Sequence, residues 1–483
     1  MQVLAVASEI FPLVKTGGLA DVVGALPGAL APEGIATTTL VPGYPAVLAK
    51  LGHTATKVHT LPSLQGGPAS IVRGSAAGLD LFALDAPHLF DRVGGPYADA
   101  SGADWQDNWR RYAALGRVAS DIAGGAIPGY QPDIVHAHDW QAAMAPTYMR
   151  YGGAPLVPSV ITVHNLAFQG QFGSSIFGEL DLPAFAMSLD GVEYYGGVGF
   201  LKAGLQSAWA ITTVSPTYAE EIRTAEFGMG LEGLINRRAD DLTGIVNGID
   251  TGIWNPDTDP YLAATFSPRR MARRDINRAA VEAEFGLDRS AGPIIAVISR
   301  LTWQKGIDIL VDAFDAVVAT GARVVVLGAG DRTLESGLQA GAGRHPGRVG
   351  VRIGYDEKLS HVMQAGSDAI LIPSRFEPCG LTQLFGLRYG CVPLVARTGG
   401  LADTVIDANE AALSAGVATG FQFAPGSGDA MLRAVQRAVA TYADNAAWSL
   451  MRRQGMKSDV SWSRSARRYA ELYRSLAARR QPE

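Results

Sequence analysis

Residues 15–22, Lys-Thr-Gly-Gly-Leu-Ala-Asp-Val, follow the apolar run Val3-Leu4-Ala5-Val6-Ala7 and lead into a helix-like segment from Ala20 to about Leu30. The run reads as a buried strand. Two adjacent glycines at a strand-to-helix turn let the backbone approach a ligand, because no Cβ intervenes. The helix start behind them favours anions through its N–H groups and its dipole, and Lys15 adds a flexible positive charge. The stretch recurs: Arg397-Thr-Gly-Gly-Leu-Ala-Asp403 repeats Lys15 to Asp21 with only the lysine exchanged for arginine, after a second apolar run, Val392-Pro-Leu-Val-Ala396. One copy alone reads as well as a Gly-Gly turn that caps a helix. A matched pair points to two similar strand–turn–helix halves, one from each end of the chain.

Outward from the first copy, short apolar runs alternate with helical patterns. Strands are expected at Val3–Ser8, Thr37–Pro42, Leu79–Leu84, Ile134–His136, Ser159–Val163 and Ile211–Val214, with amphipathic stretches such as Trp105–Ala123 and Gln141–Arg150 between them. This is an α/β pattern: a doubly wound parallel sheet with helices on both faces. Pro27 is expected to kink the first helix or end it early. His53–Ser75 and Gln169–Gly199 read as irregular, the second rich in glycine and aromatic residues, and long loops of this kind usually carry function or motion. Turn signals cluster in Val246-Asn-Gly-Ile-Asp-Thr-Gly-Ile-Trp-Asn-Pro256, which places a domain boundary at about 245–262. The second half repeats the pattern, with strands at Pro293–Ser299, Arg323–Leu327, Val349–Ile353, Ala369–Ile372 and Val392–Ala396. A helix is expected over Lys305–Thr320, with Ile307, Leu310, Val311, Phe314 and Val318 on one face. The expected domains are 1–245 and 246–460, followed by a terminal helix over 461–483. Trp462, Tyr469, Leu472, Tyr473 and Leu476 give that helix one apolar face, which fits packing back on the first domain.

Composition bounds the function. A chain of 483 residues should hold two or three domains of roughly 150 residues, and 47% hydrophobic with 18% charged residues describes a globular protein with a large core. A net charge of −5 gives no reason to expect nucleic acid or an anionic membrane as partner. Two cysteines, Cys379 and Cys391, exclude a disulfide framework and suit a reducing compartment. With no basic leader before a cleavage site and no long apolar span, a cytoplasmic location is expected.

The chemistry gathers at strand ends, where open parallel sheets bind their ligands. Ser299-Arg-Leu-Thr-Trp-Gln-Lys-Gly306 puts Arg300 and Lys305 around a helix start, which suits a pyrophosphate. A solvated basic pair is the plain alternative. Pro373-Ser-Arg-Phe-Glu-Pro-Cys-Gly-Leu-Thr382 places Glu377 before a helix expected from about Gly380. The amides of Gly380, Leu381 and Thr382 would then face an anion. Glu377 as a helix cap fits poorly, because Pro378 and Cys379 intervene. Cys379 reads as a packing residue beside the site. His136-Ala-His-Asp-Trp140 could be a metal cluster, but no further acid or histidine completes one. Sugar contacts by Asp139 and Trp140 fit better. Thr162-Val-His-Asn165 ends the next strand, so His164 either lines the same cleft or is structural.

In this order, Lys-Thr-Gly-Gly-Leu, His-Ala-His-Asp-Trp, Val-His-Asn, Val-Asn-Gly-Ile-Asp, Ser-Arg-Leu-x-x-Gln-Lys-Gly, Pro-Ser-x-Phe-Glu-Pro-Cys-Gly-Leu and Thr-Gly-Gly-Leu-x-Asp resemble the bacterial glycogen synthases and plant starch synthases, over roughly residues 1–475. The resemblance implies a GT-B glycosyltransferase: two Rossmann-like domains with an interdomain cleft. Its partners would be ADP-glucose and an α-1,4-glucan, extended at the non-reducing end with retention. It implies no cofactor and no metal, and domain closure over the substrates. By resemblance Arg300, Lys305 and the amides at 380–382 bind the diphosphate, beside Cys379. Lys15 and Gly18 reach the phosphates. Glu377, His164, Asp139 and Asp21 hold the glucosyl unit or the acceptor end. Tyr355 contacts adenine, Asn247 lines the glucose site, and Tyr97 and Trp140 stand with His164 on the acceptor side. The catalytic set is Glu377, His164, Asp139, Lys305 and Arg300. The alternatives are a related transferase that uses UDP-glucose, a phosphorylase, which would be longer and carry pyridoxal phosphate, and a non-catalytic glucan- or nucleotide-binding protein. Oligomeric state is left open.

Overall fold

The computed structural model describes residues 1–290 and 292–479. The chain divides into two compact units. One is Met1–Asn247 with the chain from Trp462 onward; the other is Gly248–Ser461.

In the first unit the strands are β1 (Gln2–Val6), β2 (Ala36–Pro42), β3 (Thr56–Leu64), β4 (Gly67–Ala76), β5 (Leu79–Asp85), β6 (Ile134–His138), β7 (Ser159–Val163), β8 (Gln171–Phe172), β9 (Glu193–Tyr194), β10 (Gly197–Gly199), β11 (Ala210–Thr213) and β12 (Leu242–Gly244). Among the described residues, nine of them form one sheet in the order β12-β11-β7-β6-β1-β2-β5-β4-β3. It is parallel from β12 to β5 and antiparallel beyond. Every residue of β6, β7 and β11 is buried, as expected for parallel strands covered on both faces. The first strand after the start of the chain lies between β2 and β6, so the strand order reverses beside it. That switch point leaves a crevice at the carboxyl ends of β1 and β6.

Three sequence expectations change. His53–Ser75 is not irregular: it is mostly the β3–β4 hairpin, closed by Gln65 and Gly66 with φ of 49° and 92°, the left-handed pair that a two-residue hairpin turn requires. Pro62 hid it, but β3 is an edge strand and Pro62 falls where its register shifts between Leu61 and Leu64, a position where proline is tolerated. The 169–199 stretch holds a small antiparallel sheet, β8-β10-β9. Lys202 pins part of it by donating from Nζ to Leu189 O and, at 2.8 Å, to Gly191 O. Finally, Pro27 does not end the first helix, which runs Gly18–Leu30. A proline inside a helix costs about 3 kcal/mol. Leu26 and Leu30 bury against Trp462, Tyr469, Tyr473 and Leu476, and at about 1.5–3 kcal/mol each they offset it.

Three of those side chains, Tyr469, Tyr473 and Leu476, lie on the apolar face of the helix Ser463–Arg479, and Trp462 stands just before its first residue. Tyr473 also makes a polar contact: its hydroxyl shares a 2.7 Å hydrogen bond with His136 Nδ1. His136 Nε2 bonds Thr162 Oγ1 at 2.6 Å, and Thr162 bonds Thr212 Oγ1 at 2.6 Å. All four groups are buried, so each depends on its partner in the chain.

The second unit contains β13 (Ile294–Ile298), β14 (Arg323–Gly328), β15 (Val349–Ile353), β16 (Ala369–Ile372), β17 (Val392–Ala396) and β18 (Phe421–Phe423). They pair in parallel in the order β15-β14-β13-β16-β17-β18. The helix after β13 is Ile307–Ala319, and Ile307, Leu310, Phe314 and Val317 bury its inner face. Here the order reverses beside β13, which puts the crevice at the carboxyl ends of β13 and β16.

Tyr473→Phe should lower stability by about 1–3 kcal/mol, because it leaves a buried ring nitrogen of His136 without its partner. Arg474→Ala on the exposed side of the same helix should stay within about 0.5 kcal/mol. Urea titration of the two variants checks the difference.

Candidate active site

In the second unit the Ser299–Gly306 turn leaves β13 and the Pro373–Thr382 loop leaves β16. They bring Lys305 and Glu377 together: Nζ lies 2.5 Å from Oε2. Ser374 Oγ donates to the same oxygen at 3.0 Å, and Glu377 is 7% exposed. The expectation that Glu377 is not a helix cap agrees with this pairing. The pair borders a pocket lined by Ser299, Ser374, Gly380, Leu381, Thr382 and Gln383, among others. The helix begins at Thr382, with Leu381 as its cap residue, two residues later than its sequence suggests. Gly380 has φ +72°, and a Cβ there would meet Gln383 Oε1 at 2.5 Å, so glycine is required at this turn. Lys305, Glu377, Gly380, Leu381 and Thr382 all line the pocket; Arg300, Tyr355 and Cys379 do not. Arg300 is exposed on the same turn as Lys305. Tyr355 is 77% exposed after β15, its hydroxyl donating to Glu357 Oε2 at 2.9 Å. Cys379 is buried within the loop.

The second Thr-Gly-Gly copy lies against that loop. A Cβ on Gly399 would meet Glu377 O at 2.0 Å, and one on Gly400 would meet Cys379 O at 2.3 Å. The Gly400 N–H donates to Glu377 O at 3.2 Å and Pro378 O at 3.1 Å. These glycines serve close backbone packing under Glu377.

The first copy is held differently, by a residue that sequence reading passed over. Glu9, 2% exposed, follows the apolar run after β1. Its carboxylate accepts from the Thr16 N–H, from Thr16 Oγ1 at 2.6 Å, from the Gly17 N–H at 3.3 Å and from the Tyr97 hydroxyl. An acid immediately after a buried strand was the available signal. Tyr97 also shares a 2.8 Å bond with Ser8 Oγ. Its hydroxyl is pushed well up, first by burial and then by the charge of Glu9. Lys15 is paired with Asp21 at 2.8 Å and stands over the Phe11 ring, and Gly18 opens the helix.

At the end of β6, Asp139 takes φ +57°. Its Oδ1 accepts from the His164 N–H at 2.7 Å. Burial raises its carboxyl to about 7, against the pull of the His164 and Asn165 backbone N–H groups. His138 Nδ1 and His164 Nε2 share a 3.0 Å bond. Burial lowers His136 and His164 to about 3 and His138 well below its usual value, so all three rings are neutral near pH 7. His136 faces Thr162 and Tyr473, whereas His138 faces His164, and the sequence pair therefore serves two separate contacts. Among the described residues, no group of three or more His, Cys, Asp or Glu is placed to hold a metal ion. Trp140 packs edge-on to Tyr112 at 5.1 Å and near Phe172 at 5.9 Å. Asn247 is 7% exposed, and its buried Oδ1 has no hydrogen-bond partner among the described residues.

Residues 2–237 match the family model described as the starch synthase catalytic domain, and residues 283–451 match glycosyl transferases group 1. A glycogen synthase of Mesorhizobium japonicum is 68% identical over 481 residues, covering 99% of this chain and 100% of that protein. One of Rhizobium rhizogenes is 59% identical over 479 residues, with 99% and 100% covered. The solved catalytic domain of starch synthase IV from Arabidopsis thaliana, bound to ADP and acarbose, superposes with a TM-score of 0.86 at 31% identity, with 99% of each chain covered. Sucrose-phosphate synthase from Thermosynechococcus elongatus, at 17% identity and a TM-score of 0.62 over 99% of each chain, shares the fold. The chain belongs to the glycogen and starch synthase family of GT-B glycosyltransferases.

Proposed function

We propose that the chain transfers glucose from ADP-glucose to the non-reducing end of an α-1,4-glucan, with retention and without a metal ion. That it is an enzyme of glycogen synthesis rests on its full-length similarity to glycogen synthases. The observation that carries the donor reading is the Lys305–Glu377 pair beside Gly380, Leu381 and Thr382 in one pocket. The starch synthase neighbour solved with ADP and acarbose supports a nucleotide and a glucan as the ligands.

Breaking a glycosyl–phosphate bond develops negative charge on the leaving diphosphate and positive charge on the sugar ring. An ammonium carries three donors. Glu377 takes one from Lys305, leaving the others for phosphate oxygens. Arg300 adds a fork that grips two oxygens, and the amides at 380–382 with the Thr382 hydroxyl add neutral donors at a helix start. Glu377 stabilises the cationic sugar, held in place by Lys305 and Ser374. Lys15 and Gly18 contribute to the phosphates, and Tyr355 contacts adenine. Asp21, Asp139 and His164 hold the glucosyl unit or the acceptor end, and Asn247, whose unpartnered oxygen suits a hydroxyl, lines the glucose site. Tyr97 and Trp140 serve the acceptor, and Cys379 packs behind the amides.

Transfer of labelled glucose from ADP-glucose to glycogen, with EDTA present, tests the reading; failure to transfer, or a preference for UDP-glucose, would contradict it. In the same assay Glu377→Ala should lower kcat by about 10²–10³-fold with little change in the KM for ADP-glucose. Lys305→Ala should weaken both, since a charged hydrogen bond is worth about 1.5–3 kcal/mol.

The elevated carboxyl of Asp139 also predicts a pH profile. Below about 7 it is protonated, and above about 7 it is the carboxylate that offsets a cationic sugar. The kcat/KM should therefore rise with pH through that value, because it reports groups of the free enzyme. The neutral histidines contribute no limb there. Asp139→Asn should abolish the limb; its persistence would assign it to another group.

A further inference from the structure

The turn that carries Lys305 and the loop that carries Glu377 are tied together outside the pocket, mainly by Arg375. Its backbone N–H donates to Gln304 O at 2.9 Å. Its Nη1 donates to Trp303 O at 2.8 Å and to Asp308 Oδ1 at 2.7 Å, and its Nη2 to Asp308 Oδ2 at 2.6 Å. The guanidinium also lies over the Trp303 ring, 4.4 Å from its centroid. In the reverse direction, Gln304 Nε2 donates to Phe376 O at 3.3 Å. The two backbones meet closely as well: a Cβ on Gly306 would stand 2.0 Å from Pro373 O.

An isolated surface ion pair contributes little. This one differs in geometry. Two nitrogens meet two oxygens, a third bond goes to a carbonyl, and a tryptophan 61% exposed covers the guanidinium face. Asp308 lies in the first turn of the helix Ile307–Ala319. The Arg375 bonds hold its carboxyl below the usual carboxylate range. Arg375, Trp303 and Asp308 are all absent from the pocket lining, and the Arg375 fork is already spent on Asp308 and the Trp303 carbonyl. A lysine reaches its target on a flexible stem, so the distance between its ammonium and Glu377 is set by where the two backbones are anchored.

We infer that Arg375 is a positioning residue that fixes the Lys305 turn against the Glu377 loop. The inference rests on the donor-site reading above. The planar fork is what the geometry uses, so charge alone does not replace it.

The test compares Arg375→Ala, Arg375→Lys and Asp308→Asn with Glu377→Ala, measuring kcat, the KM for ADP-glucose and Tm. Arg375→Ala should lose about 10²-fold in kcat, the scale of a misplacement of about 1 Å, with a smaller change in KM and a Tm near wild type. Arg375→Lys should recover only a small part, and Asp308→Asn should fall between. Added guanidinium ion should restore part of the kcat of Arg375→Ala and none of that of Glu377→Ala. Should Arg375→Ala fail to fold, Asp308→Asn carries the test, since it leaves Arg375 in place and removes only the two-oxygen bridge. Near-normal kcat in Arg375→Ala beside an impaired Glu377→Ala would overturn the inference. So would a kcat loss that follows Tm and is not rescued by guanidinium. A near-normal Glu377→Ala would instead overturn the donor-site reading, and this inference with it.

Discussion

A carboxylate sunk at the end of one parallel strand is held by an ammonium at the end of its neighbour, and much of the second unit is arranged around that contact. Glu377 and Lys305 come from loops after β16 and β13, strands that pair directly beside the reversal in strand order. A buried ion pair is weak evidence for stability, because desolvation consumes much of its attraction. The surroundings nonetheless commit backbone to it. Gly306 lets the two loops touch, Gly380 takes a left-handed turn, and Gly399 and Gly400 pack against the carbonyls of Glu377 and Cys379. Such investment around a marginal pair fits a site that chemistry needs held still.

The repeated Thr-Gly-Gly-Leu-Ala-Asp shows one local sequence set to two tasks. In both copies a strand gives way to a helix, at Gly18 and at Gly399. In the first copy Gly17 has open space around its Cα, and its N–H turns inward to Glu9. In the second, the glycines are pressed against a neighbouring loop with no room for a side chain. Backbone freedom is common to both, but open space beside the glycine belongs to the first copy alone.

The alternation of apolar runs with amphipathic stretches carried the parallel sheets, because a strand covered on both faces must be apolar throughout, as β6 and β7 are. The motifs at strand ends brought Lys305, Glu377 and the 380–382 segment to one place for the same reason: topology delivers strand ends to a common edge. What escaped reading depended on contacts distant in sequence. Pro27 looked like a kink or an early end, and the 53–75 hairpin looked irregular, because the helix Ser463–Arg479 that packs over the first and the edge position of β3 in the second are not local facts. Glu9 was passed over because Tyr97, which closes over it, lies in a loop far along the chain. For the His136–His138 pair a metal cluster is set aside for want of a further ligand, but the actual partners, Tyr473 for one ring and His164 for the other, are not legible from the spacing.

The central claim is that Lys305 and Glu377 act as one unit at the donor site. A double-mutant cycle with Lys305→Met and Glu377→Gln, read as kcat/KM for ADP-glucose, tests it most directly. The account predicts coupling of about 0.5–3 kcal/mol, so that the double variant is much less impaired than the product of the single effects. Single effects that simply multiply would show that the two side chains act independently, and would contradict the account.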